Sequence, residues 1–307
     1  MVREVGFMRV LVIGAGQMGA GIAQVLAAKG HEVLLNDVDE ARIRRGIDGI
    51  AKRLDRDVEK GKLSAEQRGE ILTHIDPRPH FRDLDIHLAI EAATERLDLK
   101  LELFRDLDRN TPPEAIIASN TSSISITTLG AATAKPDRVI GMHFMNPVPV
   151  MKLVEIIRGI ATSDATYAHV RDLALGLDKT PVEVRDFPGF ISNRVLLPMI
   201  NEAVYALYEG VASVEAIDTV MKLGMNHPMG PLALADFIGL DTCLAIMNVL
   251  YDGFGDSKYR PCPLLKQFVA AGWYGKKSGR GFYDYTAALP VPAAAPNGAY
   301  APASAAR

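Results

Sequence analysis

The pattern of apolar and polar positions changes twice along the chain. The run Arg9–Ile13 is apolar, rich in β-branched residues and ended by a glycine, and the residues after it carry apolar side chains at helical spacing as far as Gly30. A second apolar run follows at 31–36. Two strands and one helix thus fit into about thirty residues, which is the length of a βαβ unit with parallel strands.

The alternation of strand and helix patterns continues to about residue 185 and predicts an α/β fold with a mostly parallel sheet. A charged stretch at 39–73 is predicted to be a helical hairpin that breaks near Gly61, because Ser64 and Gln67 have the spacing of a capping box for a second helix. A long helix is expected near 97–107. Further strands are predicted at 86–91, 115–119, 138–143, 152–157 and 182–185.

After Asp186 the strand pattern stops, and residues 190–271 have helical spacing interrupted by glycines. We therefore predict a first domain at 1–187 and a separate all-helical domain at 188–286. The last residues, 287–307, are rich in alanine and proline and contain almost no charge. We expect a loose tail there, because such a segment cannot bury enough apolar surface to fold.

The composition narrows the class of protein without identifying it. The 307 residues carry a net charge of -3, which gives no general attraction to nucleic acid. Neither of the two cysteines, Cys243 and Cys262, lies in a Cys/His cluster, so we expect a reducing, cytoplasmic location and no metal site. The apolar stretch at 10–28 is interrupted by glycines and glutamines, which predicts a buried strand and helix rather than a membrane span.

A glycine-rich turn lies between the first predicted strand and helix. The segment at 14–19, GAGQMG, has a pattern in which the glycines permit a tight turn, the approach of a pyrophosphate to the helix N-terminus, and close packing of the helix. Asp37 closes the second strand about twenty residues later, where a carboxylate binds a ribose diol and repels a 2′-phosphate. The pattern predicts NAD rather than NADP. FAD would use the same turn, but it needs ring contacts that we do not find.

A histidine and a glutamate flank a proline-rich connection between two predicted strands. His143 ends one strand, Glu155 lies in the next, and the prolines between them predict an extended connection that could bring the two side chains together. Isolated histidines at strand ends are mostly structural, but open parallel sheets bind ligands at the carboxyl ends of their strands. A carboxylate on one imidazole nitrogen fixes the tautomer and leaves the other nitrogen to take a hydroxyl proton.

Small polar residues follow the predicted strand at 115–119. Side chains of this kind commonly satisfy only the loop backbone, and for Asn120 and Ser123 that alternative stays open. Ser122 falls on the same edge of the sheet as His143. Its hydroxyl could therefore hold a substrate alcohol for hydride transfer.

Six segments, in this order, resemble the L-3-hydroxyacyl-CoA dehydrogenase family, and in particular its short, stand-alone members that act on 3-hydroxybutyryl-CoA. The segments are GAGQMGAGIAQ, ASNTSS, HFMNPVPVMKLVEI, DFPGFISNR, GPLALADFIGLD and GRGFYDY, and the similarity spans residues 8–285. The resemblance implies a Rossmann-like NAD-binding domain, a hinge near 186–189, a helical domain that forms a homodimer, and an active site in the cleft between the domains.

The resemblance also implies roles for residues of this sequence. His143 is expected to be the catalytic base, Glu155 its partner and Ser122 the hydroxyl-binding residue. Asn193 is expected to be a further substrate ligand at the domain interface. The residues expected to contact NAD are Gly14, Gly16, Gln17, Met18, Gly19, Asp37, Glu95, Lys100, Asn120 and Asn146. The candidates for the CoA phosphates are Lys52, Arg53, Arg56 and Lys60, whose pattern is also that of a solvated helix face.

The expected activity is the NAD-dependent oxidation of an (S)-3-hydroxyacyl-CoA to the 3-ketoacyl-CoA, and the reverse reduction. Two alternatives stay open. A hydroxy-acid or sugar-acid dehydrogenase acting on a free acid would share the His/Glu pair and need no CoA site. A non-catalytic NAD-binding protein would bind the dinucleotide without turnover. We do not expect a multifunctional β-oxidation enzyme, because 307 residues leave no room for a hydratase domain.

Overall fold

The computed structural model describes residues 6–82, 84–286 and 290–293. By its internal contacts the chain divides into two compact units, Met1–Phe187 and Pro188–Arg307.

The first unit is built on one sheet of eight strands. The strands are β1 (Arg9–Ile13), β2 (Glu32–Asn36), β3 (Ile75–Pro77), β4 (Leu88–Glu91), β5 (Ile116–Ser119), β6 (Val139–Phe144), β7 (Leu153–Arg158) and β8 (Thr180–Arg185). Their order in the sheet is β3-β2-β1-β4-β5-β6-β7-β8. All neighbours pair in parallel except β6 and β7, which are antiparallel. This confirms the predicted α/β fold with a mostly parallel sheet.

Helices connect these strands. They are α1 (Gln17–Ala27), α2 (Glu40–Glu59), α3 (Ala65–Thr73), α4 (Leu97–Asn110), α5 (Ile126–Gly130) and α6 (Asp164–Gly176). The predicted hairpin consists of α2 and α3, and Ser64 and Gln67 form the predicted capping box at the start of α3. Every residue of β4, β5 and β6 is buried, which is why these strands read as continuous apolar runs rather than as an alternating pattern.

Four features of the first unit differ from the predictions, and one of them is the short helix α5, which the sequence does not indicate. The sequence does not indicate β3, because a strand of three residues that includes an aspartate and a proline has no periodic pattern. It also does not indicate α6, although Ser163 caps that helix by accepting a hydrogen bond from the backbone of Thr166. The prediction of an extended connection between β6 and β7 is wrong. The backbone N–H groups of Val150 and Met151 both donate to the carbonyl of Pro147 at 3.0 Å, which makes this connection a turn.

The second unit is helical, as expected, in the part of it that the structure describes. Its helices are α7 (Ser192–Tyr208), α8 (Val214–Gly224), α9 (Pro231–Ile238), α10 (Leu240–Phe254) and α11 (Pro263–Ala270). They surround a separate apolar core to which Ile200, Leu232, Met247 and Leu265 contribute fully buried side chains. Each unit therefore buries its own core, which is the property that defines a domain.

Two short strands follow the helices of the second unit and were not predicted. β9 (Tyr283–Asp284) pairs with β10 (Val291–Pro292) in antiparallel fashion. The sequence predicts a loose tail at 287–307. Residues 290–293 of that segment are described and contain the paired strand β10, and the rest of the segment lies outside the described residues.

Two buried aspartates join Phe282 and Tyr283 to the helices of the second unit. Asp218 accepts hydrogen bonds from the backbone of Leu232 at 2.8 Å and from the hydroxyl of Tyr283 at 2.8 Å. Asp236 accepts from the backbone of Phe282 at 3.0 Å and of Tyr283 at 2.8 Å. Burial raises the pKa of Asp236 to about 6, although these hydrogen bonds favour its charged form. The GPLALADF and GRGFYDY segments thus have a structural role in addition to marking the family resemblance.

Within the described residues, no single helix is both long and apolar enough to cross a membrane. The pair α9 and α10 together has the length and composition of a span, but the two helices meet at a bend of 97°.

Candidate active site

The glycine turn between β1 and α1 has the backbone that a bound pyrophosphate needs. Gly14 has a φ of 98° and donates its N–H to the carbonyl of Asn36 at 2.8 Å. A Cβ at this position would lie 2.5 Å from the carbonyl oxygen of Ala92, and a Cβ at Gly19 would collide with the carbonyl oxygen of Gly14. A Cβ at Gly16 would meet nothing within 4 Å, so the space beside the N-terminus of α1 is open to a ligand.

Asp37 is held rigidly beside this turn. Its carboxylate accepts hydrogen bonds from the backbone of Ala15 at 2.8 Å and of Val38 at 2.7 Å, and Nη1 of Arg42 lies 3.9 Å from its Oδ1. These bonds fix the carboxylate at the end of β2. That is the place where a carboxylate recognises the adenosine ribose of NAD.

A cleft of about 770 Å³ opens in front of the turn. Residues on its wall include Gly14, Gly16, Asp37, Ala93, Leu103 and Arg109. Since Gly16 leaves room for a phosphate and Asp37 supplies a ribose acceptor at the same wall, the residues of this cleft fit the adenosine half of NAD.

His143 and Glu155 lie side by side because β6 and β7 are antiparallel. The register of the two strands pairs these residues directly. Nδ1 of His143 lies 2.8 Å from Oε2 of Glu155, and the two residues are 9 % and 2 % exposed. An ionised carboxylate can only accept, so in the neutral imidazole Nδ1 carries the proton and Nε2 is the acceptor nitrogen. The strand register, rather than an extended connection, is what brings the pair together.

The connection between β6 and β7 contacts the glycine turn. The side-chain amide of Gln17 donates to the Oδ1 of Asn146 at 2.9 Å. Lys179, which the sequence did not single out, also binds this connection. It is 6 % exposed, and its Nζ donates to the carbonyls of Val148 at 2.6 Å and Met151 at 2.8 Å. The predicted NAD contacts Gln17 and Asn146 are thus neighbours, on elements that are far apart in the sequence.

The loop after β5 is organised by side chains that the sequence assigned to the cofactor. The Oδ1 of Asn120 accepts from the backbone of Phe144 at 3.0 Å, so this amide ties β5 to β6. The carboxylate of Glu95 accepts from the backbone of Ser122 at 3.1 Å, from the hydroxyl of Ser123 at 3.0 Å and from the hydroxyl of Thr121. Asn120 thus satisfies a backbone group, as the structural alternative predicts, whereas the hydroxyl of Ser123 contacts a carboxylate rather than the backbone. A cofactor contact by Asn120 stays a prediction.

Lys100 does not point at the cleft. Its side chain is 1 % exposed, and its Nζ lies 2.6 Å from Glu91 and 3.2 Å from Glu95. The backbone carbonyl of Ala93, at 3.3 Å, is a third acceptor. An ammonium has three donors, and all three are engaged here. These contacts are structural, and a direct cofactor contact by Lys100 stays a prediction.

Glu95 is held in its charged form. Burial alone would raise the pKa of this carboxyl, but Lys100 and the hydroxyls of Thr121 and Ser123 more than offset the burial, and the net shift is downward.

Three of the four cations proposed for CoA lie on α2, and the fourth, Lys60, follows its last residue. Lys52, Arg56 and Lys60 are exposed. Arg53 is half-buried, and its Nε donates to the side chain of Gln24 at 2.8 Å, while its Nη2 has no hydrogen-bond partner within the described part of the chain. Burial, followed by the neighbouring Arg56, lowers the pKa of Arg53.

Arg53 lines a second cleft, of about 440 Å³, whose wall also includes Gly16 and Gln17. Arg42 and Arg45, which the sequence did not single out, lie on the same wall. On a helix this rich in charge, the sequence offers no signal that separates these cations from the solvated ones.

Two predicted residues remain, and each lies in the first turn of a helix. Met18, in the first turn of α1, packs partly buried against the core of the first unit. Asn193 lies in the first turn of α7, in the second unit, and is half-buried.

Models of one protein family match both units. The NAD binding domain of 3-hydroxyacyl-CoA dehydrogenase matches residues 9–187, and the C-terminal domain of 3-hydroxyacyl-CoA dehydrogenase matches residues 189–285. The chain therefore belongs to the 3-hydroxyacyl-CoA dehydrogenase family, and its first unit is an NAD-binding domain.

Individual relatives narrow the comparison further. The chain is 60% identical over 278 residues to a probable 3-hydroxybutyryl-CoA dehydrogenase of Bacillus subtilis (strain 168), which covers 90% of this chain and 97% of the relative. It is 57% identical over 285 residues to the 3-hydroxybutyryl-CoA dehydrogenase of Bradyrhizobium diazoefficiens, covering 92% and 97%. Among solved structures, the (S)-3-hydroxybutyryl-CoA dehydrogenase of Ralstonia eutropha matches with a TM-score of 0.90 at 51% identity, covering 92% of this chain and 100% of that one.

Proposed function

We propose that the chain oxidises the 3-hydroxyl of (S)-3-hydroxybutyryl-CoA to the ketone with NAD, and catalyses the reverse reduction with NADH. The observation that carries the proposal is the buried His143–Glu155 pair, 2.8 Å apart. The connection that follows His143 contacts the glycine turn through Asn146 and Gln17. A proton acceptor therefore lies on an element that touches the dinucleotide site, and the names of the relatives support the substrate.

The proton is handled by the imidazole. NAD, when bound, accepts a hydride from the carbinol carbon. In the direction of oxidation, Nε2 of His143 takes the hydroxyl proton, and Glu155 stabilises the imidazolium that forms. In the direction of reduction, the imidazolium returns this proton to the carbonyl oxygen. Oxidation releases a proton overall, so alkaline pH favours the 3-ketoacyl-CoA.

Two further residues are proposed to bind the reacting group. Ser122 follows β5, and its backbone N–H is fixed by Glu95 at 3.1 Å, which supports a defined position for its hydroxyl. We assign this hydroxyl to the substrate alcohol. Asn193 is proposed as a second substrate ligand on the basis of the family resemblance.

Arg53 is the strongest of the four proposed CoA cations. It faces a cleft beside the glycine turn, and its Nη2 is buried without a hydrogen-bond partner in the described part of the chain. A buried donor without a partner costs free energy, and a phosphate oxygen would satisfy it. Lys52, Arg56 and Lys60 are exposed, so they would add long-range attraction rather than a fixed contact.

The second unit is proposed to form the interface of a homodimer. It exposes several large apolar side chains, and clusters of such side chains usually mark an interaction surface. They include Val220 (59% exposed), Leu223 (82%), Met225 (61%) and Phe237 (64%). A cytoplasmic location is proposed as well, because both cysteines are buried free thiols.

The choice of substrate tests the proposal. The protein is mixed with NADH and either acetoacetyl-CoA or free acetoacetate, and the loss of NADH absorbance is followed. We expect NADH consumption with the thioester and a kcat/KM at least about 100-fold lower with the free acid, because contacts with CoA contribute to transition-state binding. Equal kcat/KM values would instead identify a free-acid dehydrogenase. NADH binding without consumption of either substrate would identify a non-catalytic protein.

A further inference from the structure

A buried lysine lies beside the connection between β6 and β7. Lys179 directly precedes β8 and is 6 % exposed. Within the described part of the chain it forms no ion pair, since the carboxylate of its neighbour Asp178 binds Lys29 at 2.6 Å. Burial, followed by the charge of Lys152, lowers the pKa of Lys179. A buried ammonium of this kind costs free energy, which its hydrogen bonds must offset.

The hydrogen bonds of Lys179 go to the backbone of residues 146–151, the segment that we call the proline turn. Its Nζ donates to the carbonyl of Val148 at 2.6 Å and to the carbonyl of Met151 at 2.8 Å. The same segment folds on itself, because the N–H groups of Val150 and Met151 both donate to the carbonyl of Pro147. One ammonium thus joins two carbonyls that are three residues apart, which fixes the curvature of the turn.

The proline turn packs on α1, the helix that follows the glycine turn. Val148 is 2 % exposed, and a Cβ at Gly21 would lie only 2.9 Å from the Cβ of Val148. At the N-terminus of the same helix, the side chain of Gln17 donates to the Oδ1 of Asn146 at 2.9 Å. The position of Asn146 relative to the dinucleotide site therefore depends on how the turn is held against α1.

The proline turn lies on the side of the glycine turn where the nicotinamide is expected. The adenosine half of NAD fits the cleft beside Asp37, at the end of β2. In the sheet, β6 lies on the other side of β1 from β2. A dinucleotide with its pyrophosphate at the glycine turn should therefore extend its other half toward the carboxyl end of β6. His143 and Asn146 lie at that end, which supports the predicted contact of Asn146 with NAD.

We propose that Lys179 is a positioning residue, which holds the proline turn against α1 and so fixes the amide of Asn146 beside the nicotinamide of NAD. This inference rests on the proposed function, in which the nicotinamide must lie close to His143. Lys179 acts through the backbone of Val148 and Met151 rather than on the cofactor. Without the ammonium the two carbonyls lose this donor and the turn can shift, and a misplacement of about 1 Å can lower a rate about 100-fold.

The test compares NADH with ADP-ribose, which is the dinucleotide without its nicotinamide. The variant is Lys179→Met, because methionine keeps much of the side-chain volume and removes the charge and the donors. The matched control is Lys29→Met, since Lys29 is exposed and pairs with Asp178, the residue before Lys179. Three quantities are measured: the Kd of NADH and the Kd of ADP-ribose by calorimetry, and kcat with NADH and acetoacetyl-CoA at saturation.

We expect Lys179→Met to raise the Kd of NADH about 5- to 10-fold, which corresponds to about one hydrogen bond, and to keep the Kd of ADP-ribose within about twofold. We also expect a loss of about 10- to 100-fold in kcat. The control should match the wild type in all three quantities. Equal weakening of both ligands would show that Lys179 supports only the overall fold. Wild-type values of all three quantities would show that the turn does not need Lys179. Either result overturns the proposal.

A milder variant covers the case in which Lys179→Met does not fold. Lys179→Gln keeps two N–H donors on a shorter, uncharged side chain, so a smaller difference between the two ligands is expected, with the Kd of NADH raised at least about threefold. Equal changes for both ligands, or no change for either, would again overturn the proposal. Should the wild type not reduce acetoacetyl-CoA at all, the proposed function fails. The two Kd values then still test Lys179, because binding does not depend on turnover.

Discussion

Glu155→Gln isolates the charge that supports the catalytic imidazole. Glutamine has nearly the same shape and can still accept a hydrogen bond from Nδ1 of His143, so the perturbation is the loss of one negative charge. At the observed 2.8 Å, the attraction between a full imidazolium and the carboxylate is about 6 kcal/mol at an effective dielectric constant of about 20. If about half of the imidazolium charge has developed in the transition state, about 3 kcal/mol of stabilisation is lost, or about 100-fold in rate.

The assay is kcat for NADH and acetoacetyl-CoA, both at saturation, together with the Kd of NADH. The Kd should stay within about twofold of the wild type, because the pair acts on the proton and not on the dinucleotide. Glu183→Gln is the matched control, since Glu183 lies on the neighbouring strand β8 and its side chain is 39% exposed. Glu183 forms an ion pair with Arg158, and a partly exposed ion pair of this kind contributes at most about 1 kcal/mol, so kcat of the control should stay close to that of the wild type. A kcat for Glu155→Gln within threefold of the wild type would refute the role of the carboxylate.

Three more perturbations follow from the structure. Asp37→Ser should raise the kcat/KM ratio of NADPH over NADH at least about tenfold, because it removes a charge of the same sign as the 2′-phosphate and leaves Arg42 facing that phosphate. Adding Arg42→Met should cancel the gain. An unchanged ratio would contradict the role of Asp37 in the preference for NAD. Arg53→Met should raise the KM of acetoacetyl-CoA about tenfold and spare acetoacetyl-pantetheine, with Lys62→Met as the exposed control. Equal effects on both substrates would contradict a phosphate contact. Burial raises the pKa of Asp236 to about 6, above its value in the unfolded chain. The contribution of Asp236 to the free energy of unfolding is therefore complete below about pH 4 and falls by about 3 kcal/mol as the pH rises through 6. Asp236→Asn should lose this pH dependence in urea unfolding, and a variant whose stability varies with pH as the wild type does would contradict the assignment.

Much of the fold could be predicted because it is local. The run Arg9–Ile13, the glycine turn and the capping box of Ser64 each have a pattern within a few residues, and each forms as expected. β3 has three residues and is defined by its pairing with β2, which no local pattern reports. The antiparallel pairing of β6 and β7 is equally non-local, and it is this pairing that joins His143 to Glu155.

The residues of the candidate site also differ in whether a local sequence pattern indicates their position. The chemistry of His143, Glu155 and Asp37 could be inferred from residue type and position at strand ends. The burial of Lys100 could not, because a lysine in the first turns of a charged helix has the pattern of a solvated residue. The position of Arg42 and Arg45 beside the glycine turn could not be inferred from the sequence either. They belong to the same charged helix as the solvated cations, and only the packing of α2 beside the glycine turn distinguishes them.

The role of His143 as proton acceptor is tested most directly by the turnover of His143→Gln, measured as the consumption of NADH with acetoacetyl-CoA. Glutamine can neither take nor return a proton near neutral pH, so we expect a loss of about 10²- to 10⁴-fold in kcat with the Kd of NADH unchanged. A variant that folds, binds NADH and turns over within tenfold of the wild type would show that the proton is handled elsewhere.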